Sequence, residues 1–159
     1  MKRLLSVLLA VLLLIPSAAA FTEVPQFSST LFECGKQALV YLASGEYERL
    51  VTLLPFSDVS PSAAEWQSFA EGNFSSLSDG VQTEYAVAYW TGFLWKLAIP
   101  VSEPSSGEVE TLVLTSADGV SFTGYRYSTW GEVRNEYLYA SYVTWDKEYI
   151  GGTPVIAVD

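Results

Sequence analysis

The chain has 159 residues, among them 18 acidic residues, eight basic residues, one cysteine and no histidine. The lack of histidine excludes Ser-His-Asp and Cys-His catalysis, histidine metal ligands and a histidine general base. The net charge of −10 disfavours nucleic acid and anionic lipid as partners, because both recruit basic surfaces. Cys34 has no partner for a disulfide within the chain, and we expect an inert buried thiol because no neighbouring histidine or basic cluster would lower its pKa.

The first twenty residues have the pattern of a cleavable secretory signal peptide. Lys2 and Arg3 give a basic start, residues 4–15 are almost continuously apolar, and residues 18–20 are alanines. The apolar run is shorter than the ~20 residues of a membrane-spanning helix, which favours cleavage over an uncleaved anchor. We therefore expect a secreted single domain of residues 21–159, whose six basic and 18 acidic residues give a net charge of −12.

Three helices are predicted in the first half of the mature chain. Capping residues at 28–30 begin the first helix, and Gly45 ends it. A second, shorter helix follows and ends at Pro55, and Ser60 with Pro61 predicts the start of a third that Gly72 closes. The apolar residues at helical spacing are Leu31, Cys34, Ala38, Tyr41 and Leu42 in the first helix, Tyr47, Leu50, Val51 and Leu54 in the second, and Trp66, Phe69 and Ala70 in the third.

The second half of the chain is predicted to be rich in strands. Aromatic and β-branched residues predict strands at 81–90, 92–99, 109–116, 120–128 and 135–145. Asp118 and Gly119 predict a hairpin between the third and fourth of these, and residues 130–134 a further turn. Residues 154–158 are expected to add a short edge strand or a loose tail. Three helices followed by a mainly antiparallel meander indicate an α+β domain.

Residues 38–51, ALVYLASGEYERLV, resemble the opening of NTF2-like (cystatin-like) domains. In that superfamily a long helix is followed by a Gly-acidic-aromatic break and a second helix. The resemblance implies N-terminal helices packed on a curved, mainly antiparallel sheet, which together form a cone with a pocket. It implies no activity, because the superfamily contains enzymes, binding proteins and scaffolds.

Aromatic side chains in the predicted strands form the first candidate site. Aromatic faces stack and tyrosine hydroxyls orient a ligand, so such a surface suits a small, partly apolar or sugar-like molecule. The competing interpretation, favoured for most of these rings, is that they fill the core or cover the outer face of the sheet. The candidate ligand-binding residues are Tyr85, Tyr89, Trp95, Tyr125, Tyr127, Tyr137 and Tyr139, the last two on one face of the final strand with Ser141, Val143 and Trp145.

Charged residues in the predicted strands form a second candidate site. Glu84, Lys96 and Arg126 occupy strand positions where charge is rare, and would serve as ligand anchors if they face a pocket. Alternation turns Arg126 to the face opposite Tyr125 and Tyr127. Only one of the two surfaces can therefore line a pocket.

Three functions remain open from the sequence. The first is a secreted, non-catalytic domain that binds a small ligand or a cell-surface component. The second is an enzyme of the ketosteroid-isomerase or dehydratase kind, which requires a carboxylate base beside tyrosine hydroxyls, with Glu84 as the candidate and Glu110 near a strand start. The third is a protein-interaction module without a pocket. No metal, cofactor or nucleic acid is expected, and a homodimer is left open.

Overall fold

The computed structural model describes residues 23–146, so the predicted signal peptide and the predicted strand at 154–158 lie outside the described residues. The described chain forms four α-helices and a five-stranded antiparallel sheet, which confirms the predicted α+β class. The elements are α1 (Ser29–Ser44), α2 (Tyr47–Leu53), α3 (Ala63–Asn73), β1 (Val87–Trp90), β2 (Trp95–Pro100), β3 (Glu110–Ser116), β4 (Gly124–Thr129), α4 (Trp130–Tyr137) and β5 (Val143–Trp145), with 3-10 turns at Leu77–Asp79 and Thr83–Tyr85.

The ends of α1 follow from local signals in the sequence. The Ser28 hydroxyl accepts a hydrogen bond from the backbone N–H of Leu31 and caps the first turn. Gly45 takes the left-handed conformation (φ 72°) that ends a helix, and its N–H donates to the carbonyl of Leu42. On the predicted inward face, Leu31, Ala38 and Leu42 are buried and Cys34 and Tyr41 are half-buried.

Helix α3 begins two residues later than predicted. Ser62, rather than Ser60, is the capping residue, because its hydroxyl accepts from Glu65 N–H while the Glu65 carboxylate accepts from Ser62 N–H. The helix also continues through Gly72 to Asn73. Trp66 and Ala70, on the face of α3 that the spacing predicts to point inward, are buried.

The sheet separates two layers of helix. Its strand order is β4-β3-β2-β1-β5, and every neighbouring pair is antiparallel. Helices α1–α3 cover one face and α4 covers the other. The buried sheet residues on the first face are Ala88, Trp90, Trp95, Leu97, Ile99, Leu112 and Leu114, and those on the second are Val87, Tyr89, Ala98 and Val113.

The turn predicted at 130–134 and the long strand predicted at 135–145 are both wrong. Thr129 and Glu132 form a capping box that begins α4, and Trp130, Val133 and Tyr137 bury one face of this helix. Only residues 143–145 of the predicted strand pair with the sheet. Consequently Tyr137 is buried in α4, whereas Tyr139 follows the helix and is 90% exposed, so the two do not share a strand face.

The predicted hairpin connects β3 to β4. The Asp118 carboxylate accepts hydrogen bonds from the backbone N–H groups of Val120 and Ser121, and these bonds lower the pKa of Asp118 to about 2. Gly119 has a positive φ of 77°, which a side chain would disfavour. The turn chemistry of this dipeptide therefore fixes the loop that precedes β4.

Candidate functional site

The strand register divides the aromatic candidates between the two faces of the sheet. Tyr89 lies directly opposite Lys96, and residues paired in this way share a face. Trp95, the neighbour of Lys96 in the chain, therefore points to the opposite face, which helices α1–α3 cover. Tyr125 and Tyr127 also lie on the α1–α3 face, where they contact the rings of Trp66 and Phe74. The expectation that Tyr89 shares one surface with these three residues is wrong, because the β1–β2 turn sets a register that alternation within single strands does not reveal.

The helix-facing rings are engaged in packing. Trp95 donates its indole N–H to the carbonyl of Pro25 (2.7 Å), and its ring contacts Trp90. Tyr125 stacks on Trp66 with ring centroids 4.1 Å apart. Trp66 itself has no exposed surface. These rings contribute to the hydrophobic core, which is the interpretation that the sequence favoured for most of them.

The space between α1 and the sheet is filled by side chains. Leu39 of α1 and Leu97 and Leu114 of the sheet are fully buried. The backbone at Gly35 lies so close to the sheet that a Cβ at this position would collide with the Leu97 side chain. In a cone, the pocket would occupy this region.

A polar cluster on the opposite face joins Tyr89, Lys96, Arg126 and Glu136, and we call it the Glu136 cluster. Glu136 Oε2 accepts hydrogen bonds from the Tyr89 hydroxyl (2.6 Å) and from Lys96 Nζ (2.7 Å). Its Oε1 accepts from Arg126 Nη2 (2.9 Å). The two charged candidates Lys96 and Arg126 thus meet at one carboxylate of α4, which the sequence did not single out.

The electrostatics of this cluster favour a structural role over proton transfer. Burial opposes ionisation of Glu136, but hydrogen bonds from Lys96 and Tyr89 and the charges of Lys96 and Arg126 outweigh it and lower the pKa of Glu136. Burial and the Glu136 carboxylate raise the pKa of Tyr89, so its hydroxyl stays protonated. A carboxylate held anionic with both oxygens engaged is a weak base, and the cluster instead ties α4 to the sheet.

The other carboxylate candidates lie outside strand interiors. Glu84 and Tyr85 belong to the 3-10 turn Thr83–Tyr85, so the predicted strand position of Glu84 is wrong. Glu110 begins β3 and accepts hydrogen bonds from the backbone N–H and hydroxyl groups of Ser75 and Ser76. Burial opposes its ionisation, yet these bonds outweigh burial and lower the pKa of Glu110. Glu110 therefore anchors the segment after α3 to the sheet.

Three aromatic residues and one leucine are exposed at the end of the sheet that carries the β1–β2 turn, and we call Phe93, Leu138, Tyr139 and Tyr142 the aromatic patch. Phe93 is 75% exposed at the tip of the β1–β2 turn. Tyr142 is 55% exposed and accepts a backbone hydrogen bond from Trp90, beside that turn. Leu138 and Tyr139 precede it on the same short connection between α4 and β5. Contiguous exposed apolar surface often marks a binding site in a protein.

Two further features of the described residues bear on chemistry. Cys34 is half-buried, and burial together with the Glu33 carboxylate raises the pKa of its thiol, which lowers its reactivity. Within residues 23–146, no three acidic or thiol side chains converge in the arrangement a metal ion needs. Neither feature points to a reaction.

Comparisons with protein-family models, curated proteins and solved structures found no match for this chain. Across residues 23–146, no helix combines the length and the apolar character required to cross a membrane.

Proposed function

We propose that this chain is an exported, non-catalytic domain that binds a cell-surface glycan through the aromatic patch. The observation that carries the proposal is the exposure of three aromatic rings at one end of the sheet: Phe93, Tyr139 and Tyr142. Such rings stack on the apolar faces of sugars, and the tyrosine hydroxyls offer hydrogen bonds. The signal-peptide pattern of residues 1–20 would deliver the domain to the compartment where such glycans occur.

The charge of the chain supports a glycan over the other partners that aromatic residues bind. A net charge of −12 for residues 21–159 (6 basic minus 18 acidic) repels anionic membranes and nucleic acids, which require basic residues beside the rings. A neutral sugar polymer needs no such charge. The four residues of the patch are aromatic or aliphatic, and none is an acidic or basic residue type.

The catalytic alternative receives less support. It requires a carboxylate that can accept a proton beside tyrosine hydroxyls. Glu136 lies beside the Tyr89 hydroxyl but is held by Lys96 and Arg126, and its lowered pKa makes it a weaker base. Glu84 lies in a turn. Binding without turnover is the simpler proposal.

An NTF2-like cone remains a proposal for the finer fold. It is supported by the junction of α1 and α2 at Gly45 and by helices packed on an antiparallel sheet. Because Leu39, Leu97 and Leu114 fill the region under α1, we propose a closed version of that cone that binds at its surface.

Co-sedimentation of residues 21–159 with insoluble chitin, and separately with cellulose, tests the proposal. We expect wild type to pellet with at least one polymer, and Phe93→Ala combined with Tyr139→Ala to remain in solution. Tyr139→Phe keeps the ring and should still pellet, as should the matched control Val59→Ala, which alters a 91% exposed residue outside the patch. Equal pelleting of the double variant and wild type would show that the aromatic patch does not bind the polymer.

A further inference from the structure

The outer edge of β4 exposes backbone hydrogen-bonding groups. β4 is the terminal strand of the sheet and pairs only with β3 among the described strands. In an antiparallel pair, alternate residues of each strand form hydrogen bonds with the partner strand. Because Trp130 N–H donates to the Val109 carbonyl, the even-numbered residues of β4 are the ones that bond to β3. Tyr125 and Tyr127 therefore direct their N–H and C=O groups away from β3. No described residue forms a hydrogen bond with these outward groups.

The same edge already accepts an extended segment just before β4. Phe122 donates its N–H to the Pro55 carbonyl (2.8 Å) and accepts from Ser57 N–H (2.9 Å), in a parallel bridge between Phe56 and Phe122. The chain after Ser57 leaves the sheet and continues to α3. Strand pairing at this edge is thus geometrically feasible and stops where β4 begins.

β4 lacks the features that usually protect an edge strand. It has six residues, without proline or lysine. Its one charged side chain, Arg126, is held on the α4 face by Glu136. The rings of Tyr125 and Tyr127 pack against α3 and Phe74, and Tyr125, Arg126 and Tyr127 are each only half-buried.

Carboxylates lie near the end of β4 that precedes α4. Glu132 accepts a hydrogen bond from the Ser128 hydroxyl (2.7 Å), and Glu110 is paired opposite Thr129. After burial, the carboxylates of Glu110, Glu108 and Glu132 contribute to the raised pKa of Tyr127. An incoming strand with basic side chains would be attracted, whereas a second copy of this chain would bring the same acids together.

We propose that the outer edge of β4 binds an extended, lysine- or arginine-containing segment of a partner protein as an additional strand of the sheet. The backbone groups of Tyr125 and Tyr127 would provide the pairing, and the carboxylates near the end of β4 would select the basic partner. This site is separate from the aromatic patch and does not depend on glycan binding.

Fluorescence anisotropy with two labelled peptides tests the proposal on residues 21–159. The first probe is Thr-Lys-Val-Lys-Val-Thr, and the second replaces both lysines with glutamate. We expect saturable, salt-sensitive binding of the lysine peptide and none of the glutamate peptide. Equal binding of both peptides, or binding of neither, would overturn the proposal.

Variants locate the binding on the molecule. Tyr127→Pro removes an outward N–H and should weaken binding by about tenfold or more, whereas Tyr127→Phe keeps the backbone and should bind normally. Glu108→Lys leaves the strand intact and should weaken binding and reduce its salt dependence, so it tests the proposal even if the proline variant does not fold. Unchanged affinity in Glu108→Lys would contradict the proposal. So would a dimer, detected by sedimentation, that Tyr127→Pro dissociates, because the edge would then belong to a second copy.

Discussion

Gly35→Ala places a methyl group where α1 comes closest to the sheet. The new Cβ would collide with the Leu97 side chain and lie 3.3 Å from Leu114 Cδ1, and neither leucine is exposed. Overpacking of this kind costs about 1–3 kcal/mol, while alanine returns up to about 1 kcal/mol of helix propensity. With the full offset, we expect a net loss of up to about 2 kcal/mol in the free energy of unfolding, and a loss of about 1–3 kcal/mol relative to an unhindered glycine-to-alanine change in a helix.

Gly72→Ala is the matched control, because Gly72 also lies in a helix and has nothing within 4 Å of a new Cβ. It should leave the free energy of unfolding unchanged or raise it by up to about 1 kcal/mol. Urea unfolding followed by circular dichroism measures both values. If Gly35→Ala is as stable as Gly72→Ala, the region between α1 and the sheet can accommodate extra atoms. Close packing would then no longer exclude an interior pocket.

Three further predictions follow from the ion pairs, the titrating groups and the first twenty residues. Glu136→Ala leaves the buried Tyr89 hydroxyl without its acceptor and should lower the free energy of unfolding by about 2 kcal/mol. Glu103→Gln, an exposed control with the same change in net charge, should be neutral by urea unfolding. The pKa values of Glu110, Asp118 and Glu136 are lowered by folding, so their contribution is complete above the unfolded pKa values, near 4, and is lost as the pH falls through the folded ones. Thermal melts should therefore show stability falling between about pH 5 and pH 2, and a flat profile there would contradict these shifts. Mass spectrometry of the exported protein should find Phe21 at the N-terminus, and retention of residues 1–20 would refute the signal-peptide prediction.

Elements with strong local signals could be predicted from the sequence. Helix α1 has a capping serine at one end and Gly45 at the other, and the β3–β4 hairpin has Asp118 and Gly119 in its turn. In each case the deciding interactions lie within a few residues of one another. Local chemistry was therefore sufficient to find the element.

The residue patterns of the sequence do not predict helix α4, because its composition favours a strand. Trp130 and Tyr137 have high strand propensity, and Gly131 lowers helix propensity. The spacing of Thr129 and Glu132 as a capping box was the available signal, together with apolar residues three and seven positions apart. Burial of this face against the sheet outweighs the propensities of the individual residues.

The candidate site was less predictable than the fold. The Glu136 cluster joins Tyr89 to a residue 47 positions later, and no sequence spacing encodes such a contact. Gly92, with φ 106°, marks the turn that exposes Phe93. The register of β1 and β2, however, can be read only from the paired strands and not from the glycine alone.

Chemical-shift mapping by NMR distinguishes a ligand bound on the surface of the domain from one bound inside the fold. A soluble oligosaccharide from whichever polymer the protein binds would be titrated into ¹⁵N-labelled residues 21–159. We predict that the backbone amides of 91–94 and 138–142 shift, while those of Gly35, Leu97 and Leu114 under α1 do not. Shifts concentrated at Gly35, Leu97 and Leu114 would place the ligand inside the fold and contradict a domain that binds at its surface.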